Sequence, residues 1–144
     1  MSASCKVFCY LTRPSEYGRE LLVFDSHDEP GLEVPKGSVE AGESAEAAVS
    51  RELLEEAGVA GICIVRRLGT TTWRDEQQVF FLAESLESVA TEFEHIVTGD
   101  GADTGLHYRF RWRRIDRALG FQLVQGCGRF FDRLLGDAEP WSRQ

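Results

Sequence analysis

No stretch of the 144 residues stays apolar for long enough to cross a bilayer as a helix. The first twenty, MSASCKVFCYLTRPSEYGRE, lack a basic segment followed by a long apolar one, so a secretory signal is not expected. Basic side chains are scarce, with 16 Lys and Arg against 24 Asp and Glu and a formal net charge of −8. That balance argues against binding a nucleic-acid duplex or an anionic membrane surface through charge. A phosphate-bearing small molecule remains compatible with it, because a bound cation reverses the local field. The four cysteines, Cys5, Cys9, Cys63 and Cys127, have no CxxC spacing. They exclude a zinc ribbon and are expected to be reduced thiols in a cytoplasmic protein. Internal repeats, low-complexity segments and interdomain linkers are also missing.

What is present is the composition of an ordinary globular protein, 42% hydrophobic and 28% charged. One domain over residues 1–144 is expected, with the tail from about 136 frayed. Lys6–Thr12 reads as a strand, Arg13-Pro14-Ser15 as the start of a turn, and Glu20–Asp25 as a central strand. A loop over 26–31 leads to a short extended piece at Leu32–Val34. Ile62–Trp73 predicts one or two strands, then a polar turn at Arg74-Asp75-Glu76 and a strand at Gln78–Ala83. Glu84–Glu94 reads as an acidic connection and Thr98–Gly105 as a flexible glycine-rich loop. Leu106–Ile115 alternates, sending Tyr108, Phe110 and Trp112 inward and Arg109, Arg111 and Arg113 the other way. Leu123–Leu135 has helical apolar spacing, weakened by Gly126 and Gly128.

Between these strands lies GSVEAGESAEAAVSRELLEEAGV, Gly37–Val59. Ser44 is its N-cap candidate, Ala45–Ala57 are mostly helix formers, and Gly58 sits where a C′ glycine belongs. Glu52, Glu55 and Glu56 are spaced i, i+3, i+4 and so share one helix face, where like charges repel. A solvated acidic face is one reading; a site for Mg²⁺ or Mn²⁺, which take hard oxygen ligands, is the other. Ala45, Ala48 and Val49 continue the same stripe, which predicts that it faces protein and that the glutamates line a cleft.

Gly37, Glu43 and Arg51-Glu52-Leu53-Leu54-Glu55-Glu56-Ala57-Gly58-Val59 match every specified position of the Nudix box, G-x5-E-x7-R-E-U-x-E-E-x-G-U. The box covers 23 of the 144 residues, and through it the chain resembles the Nudix hydrolases. The resemblance implies an α/β/α sandwich around a mixed sheet. It also implies Mg²⁺-dependent hydrolysis of a nucleoside diphosphate linked to another moiety, of nucleotide or dinucleoside polyphosphate type. On that basis Glu52, Glu55, Glu56 and the Gly37 carbonyl are the expected metal ligands, and Mn²⁺ is a possible substitute. Arg51 is expected to pair with Glu55 at i+4 and keep it ionised and aimed. Glu43 is either structural or an outer-shell group.

Some members of that family take a general base from outside the box, for which Glu92, Glu94 and His95 are candidates. Lys36, Arg109 and Arg111 are the expected substrate-binding cations, against the alternative of a solvated lysine and an exposed sheet face. Trp73, Tyr10 and Phe8 are base-stacking or core residues. A silent Nudix domain that binds a nucleotide as a sensor or interaction module is the competing function. An EF-hand is excluded, since Asp100-Gly101-Ala102-Asp103 lacks alternating ligands. A homodimer stays open, because no apolar patch can be located without a fold.

Overall fold

The structure, a computed structural model, describes residues 4–16 and 18–136. Its elements in chain order are β1 (Ser4–Ser15), β2 (Gly18–Asp25), β3 (Leu32–Glu33), β4 (Lys36–Ser38), α1 (Ala45–Ala57), β5 (Ile62–Trp73), β6 (Glu76–Ser85), β7 (Glu92–Ile96), β8 (His107–Arg114) and α2 (Arg117–Gln122). Two 3₁₀ turns, Gln125–Gly128 and Phe131–Leu134, follow. The main sheet runs β5-β6-β1-β2-β8-β7, with β3 on β2 and β4 on β1. It is mixed: β1 and β6 are parallel, and the other pairs are antiparallel.

Strand alternation builds two cores from one sheet. Val7, Cys9, Leu11, Leu22, Phe24, Phe81, Phe110 and Trp112 face α1, which adds Ala48, Val49, Leu53 and Ala57. Phe8, Tyr10, Leu21, Val23, Phe80 and Leu82 face the C-terminal segment, which adds Leu119, Cys127, Phe131 and Leu134. The result is the expected α/β/α sandwich. Phe8 and Tyr10 are core residues: the Phe8 ring stacks on Phe80 at 4.3 Å, and the Tyr10 hydroxyl donates to the Cys127 carbonyl at 2.6 Å. All four cysteines are free. Among the described residues no helix is long and apolar enough to cross a membrane.

Three expectations are corrected. Arg13-Pro14-Ser15 continues β1 rather than turning, paired with Glu20, Arg19 and Gly18. The β1–β6 ladder ends at Thr12, so Pro14 meets a free edge on that side and its missing N–H costs no bond there. The acidic connection contains β7, because Phe93 packs on Phe110 at 5.1 Å and draws Glu92–Ile96 onto β8. The helix expected over 123–135 is replaced by the two 3₁₀ turns, and the short α2, with its Asp116 N-cap, ends before it at Gln122. The glycines spoil the helix while the apolar spacing still buries Leu123, Cys127, Phe131 and Leu134. The tail from about 136, expected to be frayed, lies beyond Gly136 outside the described residues.

Candidate active site

Helix α1 forms where its caps require. The Ser44 hydroxyl accepts from the Ala47 N–H at 3.1 Å, and Gly58 takes the left-handed conformation (φ 69°) that lets its own N–H close the last turn. Packing of Ala48, Val49 and Leu53 on the sheet sets the helix rotation, and this draws Glu56 inside with 5% of its surface exposed. Opposite it, β4 pairs with β1 through Gly37 and Val7. A Cβ on Gly37 would collide with the Glu52 carboxylate and displace it from its place against β4. The Lys36 N–H donates to Glu56 Oε1 at 3.3 Å.

Arg51 organises the remaining acids. Its Nε and Nη2 donate to both Glu43 oxygens at 2.8 and 2.9 Å, and Nη2 also reaches the Ser38 carbonyl at 2.7 Å. Nη1 donates to Glu52 at 2.9 Å and Glu55 at 3.0 Å. The expected Arg51–Glu55 pair is therefore one arm of a larger network. Its hydrogen bonds, with the Glu40 amide, hold the Glu43 carboxyl below the usual range. The partnership with Glu43 comes first in raising the Arg51 guanidinium further.

Burial pushes Glu52 up despite Arg51. Glu56 is raised well above an ordinary carboxylate by burial and then by the charge of Glu52, against the weaker help of the Lys36 amide. Two buried acids that resist ionisation beside a third form a donor set that a divalent cation would relieve. Hard carboxylate oxygens next to the open backbone at Gly37 fit Mg²⁺ or Mn²⁺ in chemistry. Among the described residues no three such side chains already converge on one point, since Glu52 and Glu55 are turned onto Arg51.

These groups line one cleft of about 450 Å³, shared with Lys6, Lys36, Ser38 and the 97–103 segment. A family model described as the NUDIX domain matches residues 6–134. The chain belongs to the Nudix family. Its fold is similar to a Caenorhabditis elegans Ap4A hydrolase in a binary complex, with TM-score 0.64 at 18% identity over 90% of this chain and 94% of that one. It is also similar to the Escherichia coli dihydroneopterin triphosphate pyrophosphohydrolase, with TM-score 0.63 at 13% identity over 91% and 94%. A Nudix hydrolase from Nitrosomonas europaea gives 0.62 at 19% identity over 92% and 88%. No curated protein sequence matches the chain.

The Nudix cleft gathers Gly37, Arg51, Glu52, Glu55, Glu56 and Lys36, all named from sequence. Lys36 also pairs with Glu33 at 2.8 Å. Arg109 and Arg111 are not brought there. Arg111 is level with Val23, on the sheet face away from α1, and bonds Asp25 at 3.1 and 3.2 Å. Arg109 lies 3.6 Å from Glu94 on that same face. The odd-numbered side chains of β8 point away from α1, so the row expected to face the phosphates lies instead on an ion-paired outer surface. Glu92 and Glu94 share that surface. His95 points the other way, with Nε2 3.1 Å from the Glu55 carbonyl, and does not line the cleft. Trp73 stands half exposed at the β5–β6 turn with Arg74 and Arg129 over its ring.

Sequence reasoning missed Lys6, Asp28, Asp100 and Asp103 as cleft residues. The glycine-rich character of 98–105 was the signal for the last two. Lys6 offered none, being one polar position on a strand.

Proposed function

We propose that this Nudix protein is a Mg²⁺-dependent pyrophosphohydrolase cleaving a nucleoside diphosphate linked to another moiety, of nucleotide or dinucleoside polyphosphate type. The observation that carries the reading is the intact set of Glu52, Glu55, Glu56, Gly37 and Arg51 in one cleft that also presents two lysines. Glu52, Glu55, Glu56 and the Gly37 carbonyl would hold the metal, with Mn²⁺ as a possible replacement. Such a cation supplies charge neutralisation at phosphate oxygens and acidifies a bound water.

The chain's own residues do the rest. Arg51 holds Glu52 and Glu55 in fixed directions through the bonds from its Nη1. One of the three glutamates orients the attacking water. Lys36 and Lys6 meet phosphate oxygens remote from the bond that breaks, as compact point charges. Arg109 and Arg111 are left out of this role by their position.

The experiment is release of phosphate or nucleoside monophosphate from a panel of nucleotides and dinucleoside polyphosphates with Mg²⁺. Wild type should turn over at least one class, EDTA should stop it, and Glu55→Gln should abolish it while the fold persists. Turnover unaffected by EDTA would refute the metal mechanism. Nucleotide binding without turnover would instead establish a silent Nudix sensor.

A further inference from the structure

The β7–β8 segment grips α1 where Glu55 sits. The Thr98 N–H donates to the Glu55 carbonyl at 2.9 Å, and His95 Nε2 approaches the same oxygen at 3.1 Å. That carbonyl belongs to the last turn of α1, where the helix offers no donor of its own. Next to a carbonyl, Nε2 must carry the proton and donate. The His95 ring in turn packs against Gly58, where a Cβ would stand 2.8 Å from Nδ1. One residue after Thr98, Gly99 adopts φ 93°, and a Cβ there would collide with the Glu55 carboxylate. The Glu55 carboxylate thus lies between Arg51 on one side and the bare backbone of Gly99 on the other.

We propose that His95, Thr98 and Gly99 are positioning residues for Glu55: two donors fix its backbone, and a side-chain-free seat at Gly99 sets the direction of its carboxylate. None of the three touches the reacting atoms in this scheme; each acts through Glu55. The inference rests on reading Glu55 as a metal ligand. It replaces the general-base role considered for His95 with one that its contacts support.

The loop contains its own control. Gly105 has nearly the same φ (91°), but a Cβ on it would meet nothing within 4 Å. Gly99→Ala and Gly105→Ala both place a side chain at a positive φ, and only the first displaces Glu55. Mn²⁺ affinity, read by electron paramagnetic resonance on the full chain, is the primary measurement. Gly99→Ala should weaken it about tenfold more than Gly105→Ala, the usual size for disturbing a ligand's support. In turnover, Gly99→Ala should lower kcat with KM little changed. His95→Gln, which keeps a donor, should retain more Mn²⁺ affinity than His95→Leu.

If Gly99→Ala fails to fold, the His95 pair decides: lower Mn²⁺ affinity in His95→Leu than in His95→Gln supports the positioning role, and equal affinity overturns it. Equal Mn²⁺ affinity in wild type and both glycine variants, including none in any, overturns the inference. Wild-type Mn²⁺ binding without turnover would sink the proposed function alone and leave the positioning role standing on the affinities.

Discussion

Arg51→Ala tests whether the network behind the cleft is a structural unit or a set of surface ion pairs. The substitution removes six donated bonds: two each to Glu43 and Glu55, one to Glu52, and one to the Ser38 carbonyl. It strands three carboxylates whose side chains are only 14–20% exposed. Exposed pairs are worth about 0–1 kcal/mol, whereas breaking a fully buried pair costs about 3–5 kcal/mol. With Arg51 itself 24% exposed, the expected loss lies between, at about 2–3 kcal/mol. For a chain of this length that is a Tm drop of about 7–10 °C, readable by calorimetry in EDTA. Arg51→Lys should recover roughly half, because a lysine keeps the charge but cannot span Glu43 bidentately. A drop below about 2 °C for Arg51→Ala would show that water already screens these acids, and the argument for an aimed Glu55 would fall with it.

Further tests follow from charge and placement. Glu56 and Glu52 have folded-state pKa values above the ordinary value of 4.5, so their effect on stability runs opposite to that of a paired carboxylate. At low pH both states are protonated and nothing is lost. As pH rises past 4.5 the unfolded chain ionises first, and stability falls until the folded pKa is passed. In EDTA at pH 8, Glu56→Gln should therefore melt higher than wild type while being unable to turn over substrate. Mg²⁺ should raise the wild-type Tm more at pH 8 than at pH 5; a shift independent of pH would contradict metal binding at these acids. Lys36→Ala should raise KM about tenfold, whereas Arg109→Ala and Arg111→Ala should leave kcat/KM within about twofold. A large loss from Arg111→Ala would mean that the outer face of β8 meets substrate.

The box and its helix were legible because their signals are local. Ser44, the i, i+3, i+4 glutamates and Gly58 each act within a few residues, and they appear where the spacing placed them. The strands that became the centre of the sheet were legible for the same reason, through alternation and β-branched or aromatic content. β7 was not, because EFEHI is acidic and becomes a strand only when Phe93 finds Phe110 across the sheet. The apolar spacing of 123–135 is legible but its backbone is not, since burial depends on side-chain spacing and helix continuity on Gly126 and Gly128.

Sequence alone therefore determined the chemistry on offer: which acids share a face and which arginine lies four residues before Glu55. Tertiary structure decided which charges meet that face. Alternation along β8 placed its arginines on one side together but could not say which side α1 covers. The register of β4 on β1 made Lys36 a cleft residue and added Lys6 beside it. The support that Glu55 receives from His95, Thr98 and Gly99 spans about forty residues of chain. Contacts at that separation depend on how the sheet closes, and no spacing within the box encodes them.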